Sequence, residues 1–142
     1  MRTILFLSSV IFSVFSFAEE ITWVENSQLM VDVNCDGNKD HTMIGYHGSN
    51  VIVKTKISGS NIESTLTFGI GEPNRQDALC GTEVTLSSYE SSTEGLIEIF
   101  GEAFPEYKEG PGCYDLYIQA GECDSIHMYW NHTTNQLNWW RL

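Results

Sequence analysis

Basic residues are scarce in this sequence: seven lysines and arginines stand against nineteen aspartates and glutamates, a formal net charge of −12. Such a surface repels phosphodiester backbones and anionic lipid, so nucleic-acid binding is excluded, whereas cations or a basic partner are favoured. Acidity also serves solubility in exported proteins, so the charge alone names no partner. Catalytic signatures are missing too. There is no Gly-x-Ser-x-Gly, no His-Glu-x-x-His and no glycine-rich phosphate loop, and Gly69-Ile70-Gly71-Glu72 lacks the rest of a nucleotide fingerprint. No Cys-x₂-Cys spacing occurs and the four histidines are scattered, which weighs against zinc. The expectation is a protein that is not an enzyme. The remaining enzymatic alternative, a carbohydrate-active enzyme, requires two carboxylates facing each other about 5 to 9 Å apart across a cleft.

Only one long apolar run is present, Ile4 to Phe17, behind Arg2 and ahead of Ser16-Phe17-Ala18. Small residues three and one positions before a cut after Ala18 describe a secretory signal peptide over residues 1–18, and the run is short for a membrane span. The chain is therefore expected to be periplasmic or secreted, a single domain over 19–142, and a monomer. Cys35, Cys80, Cys113 and Cys123 are then disulfide candidates. Three connectivities are open. Cys113 with Cys123 and Cys35 with Cys80 is the expected one, because the short pair brackets Tyr114 to Glu122 and leaves the others to each other.

No stretch repeats, which excludes a propeller. Short runs rich in Val, Ile, Thr and aromatics alternate instead with Gly, Asn and Ser. Strands are expected at 28–33, 42–47, 51–56, 63–68, 83–88, 114–119, 125–130 and 136–141. His47-Gly48-Ser49-Asn50 and Ser58-Gly59-Ser60-Asn61 read as hairpin turns. Ser91-Ser92-Thr93-Glu94 has capping-box spacing, and Leu96, Ile99, Phe100, Ala103 and Phe104 follow at helical intervals. Glu94, Glu98 and Glu102 lie at i, i+4 spacing on the solvent side of that helix. The fold class is mainly β: a small antiparallel sandwich or barrel with one short helix near 93–104, stapled by disulfides.

Asp32-Val33-Asn34-Cys35-Asp36-Gly37-Asn38-Lys39-Asp40 carries side-chain oxygens at positions 1, 3, 5 and 9 around a glycine at position 6. Calcium takes six to eight oxygens at roughly 2.3–2.6 Å, and alternate residues of a tightly turning loop can aim theirs at one centre. The candidate ligands are Asp32, Asn34, Asp36, Asn38 through its carbonyl, and Asp40, for one structural Ca²⁺. An EF-hand would close with a carboxylate at position 12, which here is Met43, in a segment that reads as a strand. The stretch from Asp32 to Gly45 resembles the FG-GAP or VCBS calcium loop of integrin-alpha-like propeller blades, with His41 replacing the usual apolar residue after the last aspartate. That resemblance implies a calcium site and no activity. The competing reading is a solvated Asx-rich turn.

The C-terminal segment from Cys123 to Leu142 reads as a hairpin. Ile126, Met128 and Trp130 share one face, while His127, Tyr129 and Trp140 share the other. It resembles the tail of a group of uncharacterised exported bacterial proteins with an aspartate-histidine-aromatic-tryptophan pattern, a likeness that implies no activity. His127, Tyr129 and Trp140 are the candidate partner-binding residues, for a basic protein or a glycan, although tryptophans in a small β domain more often serve the core. His127 with Asp124 and His132 does not read as a catalytic group, because His127 is mid-strand and His132 lies in the turn beyond. Asn131-His132-Thr133 fits an N-glycosylation acceptor in a eukaryotic source. Two functions emerge: an exported non-enzymatic protein with a structural calcium loop, or a periplasmic inhibitor or immunity-type protein acting on a basic or glycan-cleaving enzyme.

Overall fold

A computed structural model describes residues 20–72 and 74–142; the expected signal peptide lies outside the described residues. Ten strands and one helix follow in the order β1 (Thr22–Trp23), β2 (Leu29–Val31), β3 (Asp40–His47), β4 (Asn50–Lys56), β5 (Glu63–Ile70), β6 (Ala78–Leu79), β7 (Thr85–Glu90), α1 (Thr93–Phe100), β8 (Tyr114–Gln119), β9 (Ile126–Asn131) and β10 (Gln136–Trp140). The first sheet runs β1-β3-β4-β5-β6, with β2 also paired to β3; the second runs β10-β9-β8-β7. Pairing is antiparallel throughout except between β5 and β6. Neither sheet closes into a barrel, so of the two expected architectures the sandwich is the one formed.

Period-two alternation builds the core. Ile44, Val51, Val53 and Phe68 from the first sheet meet Leu116, Ile118, Ile126, Met128, Trp130 and Leu137 from the second, all buried. Phe68 sets its ring edge-on to Trp139 across the sandwich, with centroids 5.7 Å apart. Polar groups inside are paired, as burial demands: Thr42 Oγ1 and Thr55 Oγ1 share a hydrogen bond of 2.8 Å, and Leu137 N donates to Ser64 Oγ at 2.8 Å, joining β10 to β5. Trp130 and Trp139 thus serve the core, which answers most of the tryptophan content of the C-terminal segment.

The eight expected strands all form, within a few residues of their expected ends. Two-residue β1 and β6 are additions that periodicity is too short to reveal. The helix starts one residue later than the capping box suggests. Ser92 is the N-cap, accepting from Gly95 N at 3.3 Å, while Ser91 turns its hydroxyl inward. Gly101 ends the helix in the left-handed conformation, so Ala103 and Phe104 follow it in a loop and Glu102 lies beyond the acidic stripe.

The expected disulfide pairing is wrong. The bridges are Cys35–Cys113 and Cys80–Cys123. Cys113 and Cys123 flank β8, whose six extended residues hold them about 20 Å apart. Cys80 follows β6 and Cys123 follows β8 at one end of the sandwich. There the backbones run so close that a Cβ on Gly81 would stand 2.7 Å from Gly121 N.

Candidate functional site

The acidic loop links β2 to β3, and its turn is closed by its own side chains. Asp32 Oδ1 accepts from Asp36 N at 3.2 Å and Asp32 Oδ2 from Gly37 N at 2.7 Å. Asn34 Oδ1 accepts from Asp36 N at 3.2 Å, and Asp36 Oδ1 from Asn38 N at 2.8 Å. Cys35 and Gly37 have positive φ, 59° and 89°, so the chain bends sharply where the spacing requires it. Asp40 is fully buried at the start of β3, with Oδ2 accepting from Val33 N at 3.0 Å and Oδ1 from Ser58 N at 2.9 Å. Burial raises its carboxyl above the ordinary range against the pull of those two amides, whereas the Asn38 amide lowers that of exposed Asp36.

These contacts bring Asp32, Asn34, Asp36 and Asn38 together and set Asp40 behind them. Among the described residues no three acidic, histidine or cysteine side chains converge as a metal group. The donors nonetheless suit a hard cation, because every one is oxygen and both Asp32 oxygens and Asp36 Oδ2 accept a single hydrogen bond each, whereas Asp36 Oδ1 already accepts from both N and Nδ2 of Asn38. Among the described residues the ion pairs are Lys54–Glu63 and Arg75 with Glu72 and Asp77, so none reaches a carboxylate of the loop, whose own base is Lys39. Met43 lies within β3.

The candidate partner residues sit in a second aromatic layer on the outer face of the second sheet, beneath α1 and the loop that follows it. Tyr129 is 3% exposed, stacked on Phe104 with centroids 5.1 Å apart; its hydroxyl donates to Glu106 Oε1 at 2.8 Å. The Tyr129 ring is thus enclosed by its own chain. His127 and Trp140 are half-buried and stacked, with centroids 4.1 Å apart and planes 6° from parallel; Phe100 meets Trp140 edge-on. His127 Nδ1 pairs with the Tyr89 hydroxyl at 3.2 Å, and burial lowers the histidine's pKa. His132 is in the hairpin turn and does not join it.

Asp115 lies at the centre of this layer, and nothing in the sequence singled it out. It is 5% exposed, accepting from Ser91 Oγ at 3.0 Å and from Tyr107 Oη at 2.6 Å. Burial raises its pKa to about 6 despite both hydrogen bonds, and the Tyr89 and Tyr107 hydroxyls are pushed up as well. The available signal was the alternation Tyr114 to Gln119, which puts Asp115 on one face with Tyr117; what covers that face is not local information. Beside Asp115 a cavity of about 150 Å³ opens between α1 and the sheet, lined by Tyr89, Ser92, Leu96, His127 and Trp140 among others. No family model, no curated protein and no solved structure matches this chain.

Proposed function

We propose that this is an exported, non-enzymatic β protein in which the loop from Asp32 to Asp40 holds one structural Ca²⁺. Asp40 carries the reading: its carboxylate is fully buried, no base pairs with it, and it stands next to Asp32, Asn34 and Asp36 on a loop already bent. The Val33 and Ser58 amides hydrogen-bond this carboxylate but carry no net charge, and a divalent cation at the loop would supply the counter-charge. Asp32, Asn34 and Asp36 would supply side-chain oxygens and Asn38 its carbonyl, with Asp40 the innermost carboxylate. The bound ion would neutralise the loop and fix the junction between the sheets, where Asp32 bridges to Cys113. Export is supported by the two disulfides, which persist in oxidising compartments.

Calcium titration of the purified protein, followed by calorimetry and by melting temperature, tests this. Heat of binding and a rise in Tm are expected; an unmoved melting curve with no heat leaves only an Asx-rich turn.

A second reading, an inhibitor or immunity-type protein for a basic or glycan-cleaving enzyme, is favoured by one surface. Exposed Ile97 and Phe100, three residues apart on one side of α1, lie beside exposed Glu94 and Glu98, a small apolar strip next to acidic side chains. Recovery of one specific basic enzyme on immobilised protein, lost when Ile97 and Phe100 are replaced by serine, is the expected result. Recovery that survives those changes removes the helix from the reading.

A further inference from the structure

The Asp115 cavity has a chemistry of its own, independent of calcium. Its carboxylate is 5% exposed and receives only neutral donors, Ser91 Oγ and Tyr107 Oη. An ionised carboxylate has about four acceptor sites, so roughly two remain free. Among the described residues His127 is the sole basic residue on the wall, and it is no counter-ion: Nδ1 is occupied by the Tyr89 hydroxyl, its ring is stacked on Trp140, and burial favours its neutral form. The rest of the wall is ring and aliphatic surface from Tyr89, Trp140, Leu96 and Ile99, open on the side of exposed Ser92 and Ile99.

We propose that this cavity binds a primary ammonium group, with the Asp115 carboxylate as its counter-charge and the rings of Tyr89 and Trp140 as its walls. Ammonium N–H groups complete the free acceptor sites of the carboxylate, and the positive charge gains from neighbouring aromatic rings. Other classes fit worse. An anion is repelled by Asp115 and by the net charge; a hard metal ion would find one carboxylate and few further oxygens. A neutral guest leaves the buried charge uncompensated. The volume, about 150 Å³, is enough for a benzene-sized group, which suits an ammonium head with a short alkyl chain and no larger ligand. The group belongs either to a free alkylamine or to a lysine side chain of a polypeptide.

The test is a titration of the full chain at pH 7.5 with n-butylammonium and with the tripeptide acetyl-Gly-Lys-Gly-amide, and with n-butanol and butyrate as controls. Nuclear magnetic resonance follows the Trp140 indole and the Leu96 methyls. Both ammonium probes are expected to shift these signals saturably and the controls are not; response to butylammonium alone assigns a free amine, and response to the tripeptide assigns lysine. Asp115→Asn is expected to weaken binding at least about tenfold, as loss of a charged hydrogen-bond partner does. Gly95→Leu provides a variant that keeps Asp115: Gly95 lines the cavity, and a Cβ there meets nothing nearer than Ser92 Oγ at 3.9 Å, so the larger side chain obstructs the opening and binding is lost. Equal response to butanol and butylammonium, no response to either ammonium probe, or undiminished binding in Gly95→Leu overturns the proposal, even if Asp115→Asn fails to fold.

Discussion

Cys35 and Cys113 are bonded across the sandwich with Cα atoms 5.0 Å apart, and immediately beside them Tyr114 N donates to the Asp32 carbonyl at 2.8 Å. The acidic loop of the first sheet is therefore held to the first residues of β8 in the second. A bridge spanning 78 residues removes much of the unfolded chain's freedom, about 4.5 kcal/mol in the chain-entropy treatment. Replacing both Cys35 and Cys113 with serine is expected to lower stability by a few kcal/mol in urea unfolding. It is also expected to weaken calcium binding, because the loop must then be ordered at the ion's expense. Unchanged calcium affinity in a folded double variant would separate the bridge from the loop.

Asp40 and Asp36 should respond differently. Asp40→Ala strands the buried Val33 amide and the half-buried Ser58 amide, at about 2–4 kcal/mol, with or without calcium. Asp36→Asn alters an exposed side chain and is expected to change calcium-free stability by less than about 1 kcal/mol while abolishing the calcium-induced rise in Tm. Thermal melts of both proteins, with chelator and with millimolar calcium, check the contrast. A rise that persists in Asp36→Asn would remove that residue from the ligand set.

Asp115 predicts a pH dependence with a definite sign. Its folded pKa, about 6, lies above the ordinary 3.8, so the folded state holds the proton more tightly and this group's contribution is fully present below pH 4. It is lost as the pH rises through 6, an effect of about 3 kcal/mol. His127 faces the same layer and works oppositely: its lowered pKa costs stability as the pH falls below about 6.5. The Tyr89 and Tyr107 hydroxyls stay protonated throughout this range. Comparing urea midpoints from pH 4 to 7 for wild type and Asp115→Asn isolates the carboxyl. The fall expected on going from pH 4 to 6.5 should be present in wild type relative to the variant; parallel curves would mean that Asp115 titrates normally.

Ser64→Ala tests the bond between the sheets. Leu137 N then loses its buried acceptor, at about 1–3 kcal/mol, although the substitution removes a single oxygen. Amide exchange at Leu137, slow in wild type, should accelerate more than that of neighbouring β9 amides. Uniform acceleration would place the loss in global stability alone.

Much of the first sheet and of the C-terminal hairpin was legible in the chain. Thr42 to Phe68 alternates well enough to place three strands, and His47 to Asn50 carries its own turn signal. The bend of the acidic loop was likewise legible, because Asx side chains at alternate positions close on amides two to five residues away. The destination of Asp40 was not, since its second acceptor site is filled by Ser58, eighteen residues on.

Local pattern determined composition, strand positions, the helix near Ser92 and which side chains share a face, because each depends on residues within a turn or a strand of one another. Tertiary structure alone decided the disulfide partners, since extended β8 separates Cys113 from Cys123 and packing brings Cys35 to Cys113. It also decided that the face of Tyr129 and Trp140 lies under α1, and so turned Asp115, an ordinary strand carboxylate in sequence, into a buried charge beside a cavity. Burial is a property of what the rest of the chain places on top of a residue, and that is written nowhere in its neighbours.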